Sequence, residues 1–446
     1  MINTSDIKSN TFIGFRRPMP SKLQSWFTKS YFFLILIIIF CLSGVLEMVT
    51  GGMYRQSFAI LLLIPLFFVY APRFDAVFVI APLLVVSVFF SALLGNSTLS
   101  NILLFARGPI SAYLVYHVVC GWISSHPANI KLLWRFLFVV GVIQLPVIFL
   151  QRIFWREMAA YISDGLSWAV DAGFGTFPVK SDYSMSFFLV ILILVLMYSN
   201  AGSLSQRCRW FLLVFYSFTV LGANSQIAQI ALLTIWFVYL LTHIKFQIIM
   251  TTALAMVLII LTLSRLQEVG LIPIDFSVTF REVQTQLAGE TDRRGNFSRG
   301  ATLRFFLTEP VDWFGKGPGF YYDVVNRQIE GMDIQGHLLT YYAETGIVGL
   351  ILSYSLLWVM ARPFVVRNSI RFRMMSFLAF LSISIMSLTS YVLNQLPMTS
   401  IYMLAIATVY SEHSYLRKPA SILRNVHELQ EVSNPILNDS RIDVVV

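Results

Sequence analysis

Charged residues are scarce in this chain. They make up 12% of its 446 residues while 57% are hydrophobic, against about 25% charged in an ordinary soluble domain. A deficit that large excludes a conventional water-soluble fold. Cysteine is nearly absent too. Cys41, Cys120 and Cys208 are scattered, odd in number and without metal-ligand spacing, which argues against a disulfide framework and against a bound metal. No metal and no cofactor are expected. No internal repeat is evident, whereas secondary transporters often show two related halves. The formal net charge of +9 then points to Lys and Arg on the cytoplasmic side of a membrane, not to nucleic acid.

What is present is a series of apolar runs. A helix needs about 20 apolar residues to cross the hydrocarbon. On that rule the expected fold is an all-α polytopic membrane protein of about twelve transmembrane helices. They fall near 30–49, 56–71, 75–94, 101–122, 131–150, 183–200, 209–223, 225–243, 246–264, 337–360, 374–393 and 397–412. The first run follows Arg16, Arg17, Lys22 and Lys29 but is too long for a signal-peptide core and lacks an A-x-A-like site after it, so it reads as a retained span. Short loops set the orientation. Arg73, Arg207, Arg209, Lys245, Arg362, Arg367, Arg371, Arg373, Arg417 and Lys418 gather on the side of the N-terminus, and the connections 95–100, 223–225 and 394–396 carry no Lys or Arg. Both termini are thus expected in the cytoplasm. The chain divides into a cytoplasmic segment 1–29, spans one to nine over 30–264, a large outer loop 265–336, spans ten to twelve over 337–412, and a polar tail 413–446.

Two outer segments are long: 151–182, and 265–336 between spans nine and ten. A loop of about 70 residues is a functional candidate by its length alone. Leu, Ile, Phe, Tyr and Trp run through it, so short helices on the membrane face are expected. It carries Arg281, Arg293, Arg294, Arg299, Arg304, Lys316 and Arg327 along with ten carboxylates. Such a mixture suits a solvated loop. It also suits a few arginines facing a cavity, since the planar guanidinium fork matches phosphate oxygens. Gly315, Gly317 and Gly319 alternate in the run from Glu309 to Phe320, allowing a tight turn and close backbone approach. This is not a P-loop, because no Lys-Ser/Thr follows and no strand precedes it.

His337 stands where the loop meets the tenth span. His337, Tyr341 and Glu344 can share one helix face, and a carboxylate in an apolar span is costly and functional by default. Arg107 interrupts the fourth span and should face a cavity or pair with a carboxylate, with Glu47 as a partner. Arg152 and Arg156 follow the fifth span on the outer side, where snorkelling at the interface accounts for them as well as function does.

The stretch SRGATLRFFLTEPVDWFGKGPGF followed by GHLLTYYAETGIVGL, from Arg299 to Leu350, resembles the bacterial O-antigen polymerase and O-antigen ligase superfamily. Gly175-Thr-Phe-Pro resembles the family's G-x-F turn before its sixth span, and ANSQIAQIALL over 223–233 resembles the family's Ser-Arg-containing span start. Gln226 stands where that Arg is common, and Leu338 follows the His where Asn or Ser is usual. The resemblance covers topology over most of the chain and specific motifs over about a fifth of it.

The resemblance implies a membrane glycosyltransferase of the bacterial inner membrane. Its donor would be an undecaprenyl-diphosphate-linked oligosaccharide, bound among membrane lipid, with a chain-length regulator and other assembly proteins as partners. An acceptor hydroxyl would attack the anomeric carbon while cations stabilise the departing diphosphate. Arg299 and Arg304, then Arg281 and Arg293, would bind diphosphate without a metal, and no Asp-x-Asp motif is present. His337 would act as base or acceptor anchor, with Glu344, Gly315, Gly317, Gly319 and Arg107 in support. The leading expectation is a polymerase of lipid-linked repeat units for O-antigen, capsule or exopolysaccharide. A ligase transferring finished chains to lipid A–core or to protein is the near alternative, and a flippase without chemistry is the alternative of another class.

Overall fold

The computed structural model describes residues 22–50, 54–70, 75–159, 173–179, 181–199, 202–223, 225–243, 312–320, 336–366 and 370–408. Among these residues the fold is all-helical. In chain order the helices are α1 (Lys22–Ile37), α2 (Ser43–Thr50), α3 (Tyr54–Tyr70), α4 (Ala76–Gly95), α5 (Leu99–Ser125), α6 (Ile130–Ile153), α7 (Trp155–Ala159), α8 (Asp182–Tyr198), α9 (Gln206–Gly222) and α10 (Gln226–His243). There follow α11 (His337–Val366), α12 (Ile370–Ser387) and α13 (Leu396–Thr408). Six helical stretches are long and apolar enough to cross a membrane: Trp26–Glu47, Ala76–Gly95, Leu99–Ser125, Pro127–Ile153, His337–Ala361 and Ile370–Ser387. Ala59–Tyr70, Asp182–Tyr198, Gln226–Thr242 and Leu396–Thr408 are apolar but shorter. The chain is a multi-pass helical membrane protein. The run expected at 246–264 lies outside the described residues.

Helix ends follow local chemistry. Asp75 caps α4, its carboxylate accepting from the amides of Val77 and Phe78 at 3.0 and 3.1 Å, and Thr98 caps α5 through Asn101 N–H. Capping of this kind satisfies amides that a helix start leaves free. Helix α8 sits at the centre: every residue from Ser184 to Tyr198 is buried, as an all-round apolar helix requires. It packs against α6, α9, α10 and α12. By contrast, α4 turns Val79, Leu83, Val86, Phe90 and Leu93 outward while Ala81, Leu84, Ser87, Val88 and Ser91 face inward. That outward apolar face suits lipid.

Two irregularities sit inside this helical frame. Between α1 and α2, residues Ile38–Leu42 form a π turn. Residues 173–179, from the long segment 151–182, dock on it. Thr176 Oγ1 donates to Phe40 O, and Gly44 N–H donates to Thr176 O at 3.1 Å. Gln144 and Gln151 of α6 hold the same turn: Thr176 N–H donates to Gln144 Oε1 at 2.9 Å and Gly175 N–H to Gln151 Oε1 at 2.8 Å.

The second irregularity is in α11. Gly346 has φ 68° and ψ −167° and splits the helix into 337–345 and 347–366. In an unbroken helix Ala343 O and Glu344 O would accept from Ile347 and Val348. Here the loop 312–317 enters the gap. Lys316 N–H donates to Ala343 O and Gly317 N–H to Glu344 O, each at 3.0 Å, while Ile347 N–H donates to Asp312 O and Val348 N–H to Trp313 O, each at 3.1 Å. Ser91 Oγ also donates to Glu344 O. These four backbone groups freed by the break are thereby bonded again, as non-helical backbone at membrane depth requires. Asp312 shapes the loop by accepting from the amides of Phe314 and Gly315. The sequence anticipated a continuous span at 337–360; the apolar pattern carries no sign of the break, because Gly is common in membrane helices. The surface helices expected over 265–336 are not found in the described part, 312–320, which is an irregular plug.

The span expected at 374–393 also ends early. Helix α12 stops at Ser387, and 388–395 runs as turns and a short 3-10 segment, Val392–Asn394. This segment dips toward α5, where Ser111 Oγ lies 3.3 Å from Leu393 O and bonds more closely to Gly108 O at 2.8 Å.

A Cβ on Gly346 would strike the backbone of Trp313 and Phe314, and left-handed backbone costs an L-residue about 1–2 kcal/mol besides. Gly346→Ala is therefore expected to lower stability in detergent by at least about 2 kcal/mol. Gly222→Ala, with nothing in contact range, leaves it unchanged. Unfolding midpoints of the purified variants decide this, and equal midpoints would contradict the plugged break.

Candidate functional site

The plug brings one end of the bundle together around the start of α11. Gly336 is pressed against Leu388 O, His337 N–H donates to Ser390 O at 3.2 Å, and Thr340 N–H donates to Gly336 O at 2.9 Å. His337 is fully buried. Its Nε2 lies 3.1 Å from Ser353 Oγ, whose own hydroxyl donates to Leu350 O at 2.8 Å. A hydroxyl has one proton to give, so when Ser353 gives its proton to Leu350 O, Nε2 carries the ring proton and donates. In that tautomer Nδ1 is the bare nitrogen, and it has no hydrogen-bond partner among the described residues. A bare, unpartnered imidazole nitrogen is what a general base requires.

Tyrosines enclose the imidazole. The ring of Tyr341 lies 4.3 Å from it, Tyr354 5.6 Å and Tyr391 5.8 Å. Tyr354 Oη bonds Ser387 Oγ. The Tyr341 and Tyr391 hydroxyls approach each other within reach of a mutual hydrogen bond, although neither meets strict hydrogen-bond geometry with a described partner. Glu344 is buried beside the same two phenols. The shared face expected of His337, Tyr341 and Glu344 is present.

Arg107 joins this cluster from α5. Its neighbour Phe105 stacks near Tyr341 and Tyr391 at 4.8 and 5.6 Å, its charge is felt at Tyr391, and its Nε is buried without a partner. The expected pairing with Glu47 does not occur. The Glu47 carboxylate instead accepts from Val179 N–H, because the docked turn 173–179 covers the end of α2 and offers that amide first. Asn394, set against Gly108, adds Oδ1 to the unpartnered buried atoms. Native proteins leave few such atoms, and here five collect at one place.

Gly315, Gly317 and Gly319 all have positive φ, and a Cβ on Gly315 would overlap the Glu344 carbonyl. The close approach expected of these glycines is therefore made to the helix that carries His337 and Glu344. Arg281, Arg293, Arg299 and Arg304 lie outside the described residues. No group of three or more His, Cys, Asp or Glu suited to a metal occurs among the described residues. Arg152 is not a free surface cation: its Nη2 donates to Gly222 O at 2.6 Å, closing the end of α9.

Sequence reading missed Tyr391, Asn394, Gln144 and Gln151. The two glutamines carried a usable signal, since they are amides seven residues apart in an apolar span and therefore share a face. Tyr391 and Asn394 carried none, because nothing in the pattern marks the turn that brings them inward.

The Tyr341 hydroxyl makes at most a poorly aligned contact with Tyr391, so Tyr341→Phe is expected to change stability by less than about 0.5 kcal/mol or to raise it. Tyr402→Phe removes a bond to Leu357 O made at 2.8 Å and should cost about 1–2 kcal/mol. Unfolding of both variants in one detergent checks the contrast. A larger loss for Tyr341→Phe would show that its hydroxyl is already satisfied.

No family model matches the chain, and no curated protein matches it.

Proposed function

We propose that this chain is a polysaccharide polymerase of the bacterial inner membrane, joining undecaprenyl-diphosphate-linked repeat units at the periplasmic face by metal-independent glycosyl transfer. The observation that carries the reading is His337: a buried imidazole with a bare Nδ1, among unpartnered polar groups, at the end of the bundle where the long loop is plugged into α11. In this reading the chain crosses the membrane twelve times with both termini in the cytoplasm, and that end of the bundle faces the periplasm. The distribution of Lys and Arg in the short loops supports this orientation.

The chemistry follows from the groups available. An acceptor hydroxyl attacks the anomeric carbon of the donor, the bond from that carbon to the diphosphate oxygen breaks, and undecaprenyl diphosphate leaves. His337 takes the hydroxyl proton on Nδ1. Ser353 holds the ring in the tautomer that makes this nitrogen the acceptor. Arg299 and Arg304, with Arg281 and Arg293, stabilise the charge on the departing diphosphate. Glu344 and the glycine plug fix the helix that presents the base. Because His337 is enclosed, the reaction requires the tyrosine ring around it to open toward substrate.

Glycan length in cells tests this. With normal protein levels, His337→Ala and Arg304→Ala are expected to leave single repeat units in place of a ladder of longer chains. Full-length polymer in both variants would overturn the site assignment. Long chains accumulating on undecaprenyl diphosphate would instead identify a ligase.

A further inference from the structure

The plug carries its two bulkiest residues on the outside. Trp313 and Phe314 are 61% and 40% exposed, although the loop they belong to is seated by backbone hydrogen bonds on both sides of Gly346. Gly315, Gly317 and Pro318, the small residues that follow, are the buried ones. A loop facing water gains nothing from this order, because apolar area left in water is unfavourable. Against an apolar solvent the same order is favourable.

The height of the plug along the bundle decides which solvent it meets. Helix α4 runs for 20 residues, 76–95, without a charge. At 1.5 Å per residue that is about 30 Å, which matches the hydrocarbon thickness of a bilayer. Its last turn therefore ends at the edge of the hydrocarbon. Three close contacts pin the plug at that level. A Cβ on Gly95 would strike Lys316 O, one on Gly317 would strike Ser97 Oγ, and one on Gly319 would strike the Asn101 side chain. Gly95 closes α4, Ser97 lies in the turn after it, and Asn101 is in the first turn of α5. The plug thus rides at the α4–α5 turn, the depth at which tryptophan is enriched in membrane proteins.

Its lateral position agrees. The outward face of α4 ends in Phe90 and Leu93, and the Phe314 ring meets Phe90 edge to face with centroids 4.9 Å apart. Phe314 thereby continues the outward stripe of α4 onto the plug, with Trp313 next to it. The Asp312 carboxylate is engaged by the loop's own amides, accepting from Phe314 and Gly315. Lys316 is exposed and holds its ammonium 5.1 Å from the centroid of the Phe320 ring. Exposed aromatics followed by a long cationic side chain suit the boundary between acyl chains and headgroups.

We propose that Trp313 and Phe314 are a membrane anchor: they enter the acyl chains of the leaflet at this end of the bundle, beside α4, and hold the plug in the break of α11 from the lipid side. The occupant of the exposed face is phospholipid, because that face is continuous with the outward side of a helix that spans the bilayer. Lipid then helps to seat the loop on the helix that bears His337 and Glu344. Nothing in this depends on glycan transfer; the multi-pass fold suffices.

Tryptophan quenching in nanodiscs tests the anchor on the full-length protein. The emission of the wild type minus that of Trp313→Phe isolates Trp313, and the retained ring preserves the packing on Phe90. The quenchers are phosphatidylcholine brominated on the upper part of its acyl chains, and acrylamide in the aqueous phase. The brominated lipid should remove most of the Trp313 emission and acrylamide little of it. Stronger quenching by acrylamide would put the ring in water, and quenching by neither would put it under protein; each result overturns the anchor. Hydrogen exchange tests the hold on the break. Trp313→Gln should speed exchange of the Ile347 and Val348 amides about tenfold, the scale set by one large apolar side chain losing its burial. Trp313→Phe should stay near the wild type. Trp26→Gln, which alters an exposed tryptophan on α1, should leave both amides unchanged. Equal exchange in Trp313→Gln and the wild type overturns the proposal.

Discussion

Four backbone hydrogen bonds at Gly346 hold the candidate site in place. They replace the two that an unbroken α11 would make between Ala343 and Ile347 and between Glu344 and Val348. In a membrane the exchange is obligatory, because a carbonyl or amide left bare in hydrocarbon costs several kcal/mol, roughly as much as a domain can lose. The break therefore exists only while the loop 312–317 fills it. The loop in turn can fill it only because Gly315 and Gly346 lack side chains where the two backbones meet. Sequence, local conformation and packing are joined at this point, and the long loop is tied to the helix that bears His337 and Glu344.

The polar cluster follows from that tie. With α11 interrupted, its first segment sets Tyr341 against Phe105 of α5 and His337 against Ser390 and Tyr391 in the turns after α12. Most of the bundle is ordinary: α8 is apolar throughout and buried throughout, and hydroxyls in the helices mostly bond back to carbonyls of their own turn, as Ser382 and Thr408 do. Against that background, unpartnered atoms on an imidazole, two phenols, a guanidinium and an amide at one end of the molecule stand apart. Packing and covalent geometry do not require them there. A polar guest does.

Much of the helical frame was legible in the sequence because lipid imposes a simple rule on it. The apolar runs at 75–94, 101–122, 131–150 and 183–200 reappear as α4, α5, α6 and α8 with shifts of a few residues. His337 and Glu344 were visible as polar groups at the mouth of an apolar run, and the glycines at 315, 317 and 319 as a place for close approach. What stayed hidden depends on contacts distant in sequence. The break at Gly346 is created by residues 30 positions earlier, so local apolar pattern cannot report it. Tyr391 reads as part of a span until α12 is seen to end at Ser387. Glu47 looked like a counter-charge for Arg107 because both interrupt apolar runs; the structure gives it to an amide of the turn 173–179 instead.

The central claim is that this assembly of groups moves glycan from a lipid diphosphate to a hydroxyl acceptor. The most direct measurement uses the purified protein in nanodiscs with an undecaprenyl-diphosphate-linked oligosaccharide and no other protein or metal, followed by mass spectrometry of the lipid-linked products. The account predicts species that grow by whole repeat units, with one undecaprenyl diphosphate released for each bond formed. Donor that stays unchanged in length, or that crosses the bilayer without any change in mass, would contradict it.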